Sequence, residues 1–422
     1  MAIPTLAMIP SGYKAGKLYS VLPSDGTGDF TVARNSVATR VNQSGLIEEV
    51  GVNVPRLDYS AGGCPVLLTE IESTNLLTYS EDFSNASYPK SGVSVVQNTE
   101  IAPDGTISAD SLIEDATTSN HLLNRTSVIS NTTATVSVFA KANTRNWVRV
   151  QTQNPSTGWV NVNLSSGIVG LVGGGLDSYV IQDYGNGWYR ISATATSASQ
   201  IGLQLFVIDS DRGGPSPSYT GDGTSGIYIW GASLEAQPAA TSYIKTTGTA
   251  QTREADLVNG AGSAATFNSL EHTFFVDLNS LFESGLNSSI SLVGSTGTLA
   301  HNRIRIQKAG NNTDIILQVR SGGTTVATET LSNIDFSVRQ KLAITVKENE
   351  VKYYRNGFLF ATDDYTITLP VSLGEVTLTS GTTDEKFFAS TKDIRYYNQV
   401  LTAAETLELM SYDSFNEMAS AL

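Results

Sequence analysis

Short strand-like runs recur along the chain, and in the clearest of them hydrophobic and polar positions alternate with a period of two. From Thr135 to Phe139, Val136 and Val138 share one face while Thr135, Ser137 and Phe139 share the other. This is the pattern of a half-buried strand. Comparable runs recur at residues 147–151, 159–164, 188–193, 201–207 and 227–230, and again at 273–277, 289–293, 303–307, 315–320, 342–346 and 351–354. Polar turn residues separate them. No long 3.6-residue periodicity is present, so helix content is expected to be low. Repeated short strands without helices between them favour antiparallel sandwiches, because parallel pairs need long crossovers. Late in the chain, two alternating runs flank Asn356 and Gly357, a strong hairpin signal. Thr402 and Glu405 have the spacing of a capping box and open the one short helix expected. Leu407 and Met410, with Leu409 on the flank, should form its apolar side.

The fold class read from this pattern is all-β, with an N-terminal extended arm followed by two antiparallel β-sandwich (jelly-roll) domains and one short C-terminal helix. The expected divisions are an arm at residues 1–77, a first sandwich at 78–250, a second at 257–412 and a tail at 413–422. A linker over residues 247–256 joins the two sandwiches. The tail is acidic and weakly patterned.

Three stretches carry resemblances. Residues 341–362, with the strand, loop and capped helix of 394–409, resemble the closing segment of concanavalin A-like (laminin-G-like) lectin sandwiches, in which a small helix packs on the sheet. Residues 75–83, 136–141, 187–191, 228–235 and 240–244 resemble carbohydrate-binding-module-like jelly rolls of phage tail proteins. Arg34, Ser36, Ala38 and Thr39, then Gly45 and Ile47, Asn53 to Tyr59, and Thr74 to Leu76 follow the order seen in the leader of many phage structural proteins. Together the resemblances imply a phage virion fibre, appendage or decoration subunit on the particle surface, whether on head or tail. Its arm would bind other virion proteins. Its two sandwiches would project outward, and homo-oligomers, trimers most often, would give avidity. The implied mechanism is recognition of host-surface glycan with no bond broken, so not an enzyme. Two alternatives stay open. One is a purely structural decoration subunit that binds no ligand. The other is a polysaccharide-degrading enzyme, whose usual β-helix repeat is missing from this sequence.

Composition narrows the field in a few places. The chain has 422 residues, which suggests two or three domains. Charged residues make up 16% and the formal net charge is −14, so the basic footprint of a nucleic-acid binder is missing. The single cysteine, Cys64, cannot form an internal disulfide and is expected to be a buried or idle thiol. The N-terminal residues lack a basic and apolar signal-peptide pattern, and no apolar run reaches the ~20 residues of a membrane helix. An extracellular-type composition without a secretion signal fits a virion protein released by lysis.

Candidate chemistry is sparse. His121, His272 and His301 lie outside any nucleophile or metal-type spacing, and packing or surface roles are expected. Asp209, Asp211 and Asp222 are raw material for a structural calcium ion, the one cofactor considered, since calcium takes several loop oxygens. All four tryptophans fall in the middle unit. Trp147 and Trp159 open strands beside polar loops and are the candidates for carbohydrate binding through ring stacking. Trp188 and Trp230 read as core or hinge residues.

Overall fold

The computed structural model describes residues 2–129, 132–281, 285–294, 301–379, 385–413 and 417. The chain is nearly all β, with antiparallel sheets throughout and one short helix near its C-terminus. It forms two compact units. The first comprises residues 1–37, 50–71 and 254–422, and the second comprises residues 38–49 and 72–253.

In the second unit, two six-stranded sheets face each other among the described residues. One runs in the order Lys90–Ser91, His121–Ile129, Ile201–Ile208, Trp147–Thr152, Trp159–Asn163, Ile168–Val172. The other runs Val93–Ile101, Ile107–Glu114, Gly226–Glu235, Thr132–Ala142, Trp188–Ser197, Ser178–Asp183. Alternation decides the core. Val136, Val138, Val148, Val150, Leu203, Leu205 and their neighbours fill the space between the sheets. Behind the second sheet lies a smaller aromatic cluster of Phe139, Trp188, Trp230 and Tyr243, closed by Ile47. The Trp188 indole N–H donates to the Ile101 carbonyl at 2.9 Å and that of Trp230 to Ser108 Oγ at 3.0 Å. Both indoles are therefore core residues with satisfied donors, as the sequence suggested.

The first unit has a sheet of eight strands in which Phe358–Asp363, Glu350–Arg355, Gln340–Lys347, His272–Leu281, Ala389–Tyr397, Val66–Thr69 and Leu57–Asp58 lie side by side, with Leu6–Met8 also paired to Ala389–Tyr397. Opposite it is a five-stranded sheet of Thr324–Leu331, Ile315–Ser321, Arg303–Lys308, Ser288–Gly294 and Leu373–Thr377. Asn356 and Gly357 both have positive φ, 48° and 86°, the geometry of the expected hairpin turn. The helix Ala403–Ser411 has the full capping box at Thr402 and Glu405. It buries Thr406, Leu409 and Met410, while Leu407 is 38% exposed, so its apolar side is turned from the one expected. Lys341 Nζ donates to the Met410 and Tyr412 carbonyls at 2.8 Å each and so closes the helix C-terminus.

Residues 1–77 do not form a separate arm. Leu6–Met8 pair with residues 394–396, Phe30–Ala33 pair with Leu257–Asn259, and Ser73–Asn75 pair with Gln251–Arg253. The leader residues are fully used in folding. Arg34 donates to Asp256 Oδ1 at 2.9 Å and to the Ser36, Val54 and Gly51 carbonyls. Arg56 contacts Glu70 at 2.6 Å and also Asp256. Burial alone would lower the Arg56 pKa, but the two carboxylates outweigh it and raise it. Asn75 is fully buried; its amide donates to the Ala232 and Ile244 carbonyls, and its oxygen accepts from the Leu77 and Leu234 N–H groups. An extended pattern read as a free arm is thus edge strands and clamps, whose partners come from far along the chain. The expected linker 247–256 is likewise built in, with Asp256 at the centre of the ionic cluster. Of the expected tail at 413–422, only Asp413 and Glu417 lie within the described residues.

Candidate functional site

A group of buried polar side chains with atoms lacking partners lies on the outer face of the first sheet of the second unit. Along Trp147–Thr152, Val148 and Val150 point into the core, so Trp147, Arg149 and Gln151 point out. Register then places them in rows. Asn124 opposes Gln204, Gln204 opposes Gln151, and Gln151 opposes Trp159. The next row is Leu122, Phe206, Arg149 and Asn161, and the third holds Ile208, Trp147 and Asn163.

The middle row is covered by the loop that follows Ile201–Ile208. Arg149, fully buried, donates to the Arg212 and Gly214 carbonyls and, through Nε, to Asn161 Oδ1 at 2.8 Å. Its guanidinium lies 3.8 Å from the centre of the Trp159 ring. Burial lowers the Arg149 pKa to about 10 although Asp211 opposes the shift. The Asn161 amide donates to Asp211 at 2.7 Å and to the Arg212 carbonyl. At the far edge of Trp159, Gly173 leaves room that a side chain would take: an added Cβ would collide with the Thr157 carbonyl oxygen and lie 2.5 Å from the indole nitrogen.

The first row is different. Gln151 Nε2 donates to Gln204 Oε1 at 3.1 Å. Beyond that one bond, Gln151 Oε1, Asn124 Oδ1 and the neighbouring Gln153 Oε1 are buried with no partner among the described residues. Gln151 is 2% exposed, while Asn124, Gln153 and Gln204 are half-buried. Whichever way each amide is turned, one polar end is left over. A buried amide end left without a partner costs about 1–3 kcal/mol, and none of these three has one among the described residues. Chemically, the row offers closely spaced neutral donors and acceptors beside an indole and a guanidinium. That combination suits a polyhydroxylated, uncharged ligand.

The residues singled out in the sequence fare unequally. Trp159 is on this face but 6% exposed, with one ring face taken by Arg149, so it does not provide an open stacking surface. Trp147 is half-buried in the third row. The three aspartates are not gathered round a common point. Asp209 is held by Arg212, whose hydrogen bond is the main cause of its lowered pKa. Asp211 accepts from Asn161 and from the Leu171 N–H. Asp222 accepts from Ser225, which does most to lower its pKa, and from the Thr224 N–H. Among the described residues no group of three or more His, Cys, Asp or Glu side chains could hold a metal ion. Each carboxylate is spent on loop geometry. His121 is buried with Nδ1 2.7 Å from the Gly92 carbonyl oxygen and its ring against Tyr219. His272 is buried beside the Asn268 carbonyl, and burial lowers its pKa to about 4. His301 is exposed. Cys64 is exposed rather than buried. Sequence reasoning missed Asn124, Gln151 and Gln204. The alternation over residues 147–153 puts Gln151 and Gln153 on the polar face, but Gln204, which bonds Gln151, lies 53 residues away in sequence.

No family model matches this chain, and no curated protein matches it. Solved structures do. The chain is similar to the Ruminococcus gnavus IT-sialidase CBM40 bound to alpha2,3 sialyllactose, with 18% identity over 36% of this chain and 93% of that one, at a TM-score of 0.31. It is similar to the Trypanosoma rangeli sialidase in complex with the inhibitor DANA, with 9% identity over 72% of this chain and 60% of that one, at 0.29. It is also similar to mouse laminin alpha1 chain domains LG4-5, with 11% identity over 68% of this chain and 88% of that one, at 0.23. At this level the likenesses decide neither family nor function.

Proposed function

We propose that this chain is a non-catalytic saccharide-recognition protein of a phage particle surface, with the amide row Asn124–Gln204–Gln151 as its contact face. The observation that carries the reading is the set of buried, unpaired amide ends on that row. A saccharide presents hydroxyl groups that donate and accept at short spacing, which is what such ends lack. Affinity at a small polar face is low per site, and multiple copies on one particle raise it by avidity. No bond is broken in this reading. His121 and His272, the two buried histidines, are committed to backbone carbonyls, which supports binding without chemistry. The phage setting is supported by the leader resemblance. Arg34, Arg56 and Asn75 of that series are each buried and multiply bonded, so in this chain they serve the fold. Attachment through a free N-terminal arm has no such support, because those residues are built into the two units.

The test is to incubate the purified chain with host cells and with extracted host polysaccharide, measuring bound protein and released reducing ends. Binding without release is expected. The variant Gln151→Leu removes the amide at the centre of the row and should weaken binding roughly tenfold. Release of reducing ends, or unchanged binding by Gln151→Leu combined with Gln204→Leu, would refute the proposal.

A further inference from the structure

A second polar face, in the first unit, carries charge instead of amides. In the five-stranded sheet, Ile304, Ile306, Leu317 and Val319 point into the core. Alternation therefore turns Arg303, Arg305, Gln318 and Arg320 to the outer face. Arg303 and Arg320 are directly opposed in register, and Arg305 follows two residues on from Arg303. Like charges directly opposite one another destabilise a sheet. Here they are also withdrawn from water: Arg303 is 6% and Arg305 8% exposed. Burial first, then the charges of Arg305 and Arg320, lower the Arg303 pKa to about 10. Burial likewise lowers that of Arg305, against the opposing pull of Glu385.

Donor accounting shows what is left over. Arg305 Nη1 donates to Glu385 Oε2 at 3.1 Å, and that same oxygen accepts from Ser289 Oγ. Arg320 spends Nε and Nη2 on the Gly323 carbonyl. Arg303 Nη2 reaches Gln318 Oε1 at 3.3 Å. Arg305 Nε and Ser291 Oγ, buried side by side in register, have no partner among the described residues. A guanidinium edge and a hydroxyl on the same face can receive one oxyanion, and the planar fork of arginine matches a carboxylate or sulfate through two parallel hydrogen bonds. The surrounding Gln318, Thr328 and Thr377 are neutral hydrogen-bonding groups suited to sugar hydroxyls. With a net charge of −14, the chain repels long polyanions such as nucleic acid, which leaves a single acidic group on an otherwise neutral ligand as the better fit.

We propose that the Arg303–Arg305–Arg320 face binds the oxyanion group, carboxylate or sulfate, of an acidic saccharide. The site is separate from the amide row and does not depend on it. The experiment is isothermal titration, at fixed ionic strength, of the full chain carrying Gln151→Leu and Gln204→Leu, which silence the amide row, with methyl glucuronide, glucose 6-sulfate and neutral methyl glucoside. At least one acidic probe should bind, and the neutral one should bind roughly tenfold more weakly or not at all. The two acidic arms tell carboxylate from sulfate. Arg305→Lys keeps the charge but loses the fork and should weaken acidic binding roughly tenfold, and Arg320→Gln should weaken it severalfold. A melting curve on each variant shows that it is folded. Failure of both acidic probes to bind overturns the proposal. So does equal binding of acidic and neutral probes, or unchanged acidic binding in both folded arginine variants.

Discussion

Replacing Asp256 by Asn should unfold the first unit preferentially, and the structure sets the size of the effect. Asp256 is 4% exposed. Its Oδ1 accepts from Arg34, while Oδ2 accepts from Arg56 and from the Glu70 N–H at 3.0 Å. The substitution removes the charge that balances two fully buried guanidiniums and turns an N–H₂ towards one of three donors. Arg56 keeps Glu70, and Arg34 keeps its carbonyl partners, so the loss is partial. Breaking a buried ion pair from one side costs about 3–5 kcal/mol. Against a domain stability of about 5–15 kcal/mol this is a large share. With a urea m-value of about 3 kcal/mol/M, it moves the midpoint down by about 1–1.7 M. The assay separates the units by an accident of composition: all four tryptophans, at positions 147, 159, 188 and 230, belong to the second unit. Circular dichroism follows both units, and tryptophan emission follows only the second. The Asp256→Asn variant should lose its circular-dichroism signal at lower urea, with a smaller change in the tryptophan transition. A cost below about 1 kcal/mol, or an equal shift in both signals, would refute the view that Asp256 is the hub of the first unit.

Asp110 gives a pH prediction for the second unit. Burial raises its pKa to about 6 despite hydrogen bonds from the Asn98 and Phe83 N–H groups. The folded pKa therefore exceeds the unfolded value of about 3.9. The resulting stabilisation is complete below pH ~4 and is lost, by about 2–3 kcal/mol, as pH rises through 6. Tryptophan-detected urea unfolding should show this slope in the wild type and a flatter one in Asp110→Asn; equal slopes would contradict it. Thr402→Ala removes the capping box and should cost about 1 kcal/mol, read as a lower melting temperature with the sheet spectrum retained. Asn75→Ala strands two carbonyls and two N–H groups in the interior of the second unit and should cost several kcal/mol, about 1–3 per orphaned group, in the tryptophan-detected transition.

Local signals were legible in the sequence and non-local ones were not. The strand at 135–139, the Asn356–Gly357 turn and the Thr402 cap each depend on neighbours within a few residues; the turn and the cap have the expected form, and the strand forms where expected but is buried on both faces. The pairing of Leu6–Met8 with residues 394–396 leaves no mark in either segment beyond ordinary strand residues, so the N-terminal stretch read as an arm. The ionic hub behaves the same way. Arg34 and Asp256 are 222 residues apart, and nothing local to either names its partner. The Asp209, Asp211 and Asp222 triplet shows the reverse error. The residue types suit calcium, but Arg212, Asn161 and Ser225 claim them one by one. Trp159 does lie on the candidate face, yet the guanidinium that covers it sits on a neighbouring strand and leaves no local mark beside the tryptophan.

The distribution of charge links the two proposed faces. Among the described residues, buried basic side chains include Arg34, Arg56, Arg149, Arg190, Arg253 and Arg395, and buried acidic ones include Glu70, Glu114, Glu235, Asp256 and Asp277. Folding thus withdraws both signs together and leaves the exterior carrying the acidic excess of the whole chain. An uncharged saccharide approaching the amide row meets no long-range force, so its affinity is set by short contacts and changes little with salt. An acidic saccharide is repelled at a distance and attracted on contact. Salt screens the repulsion between exposed charges over a Debye length of about 8–10 Å, but it screens less well at Arg305, which is 8% exposed. Moderate salt therefore helps an acidic ligand reach the arginine face faster than it weakens the hold there. This is opposite to the behaviour of an exposed basic patch, where salt lowers affinity throughout. The sign of the salt dependence consequently distinguishes a buried arginine site from a surface one without a further structure.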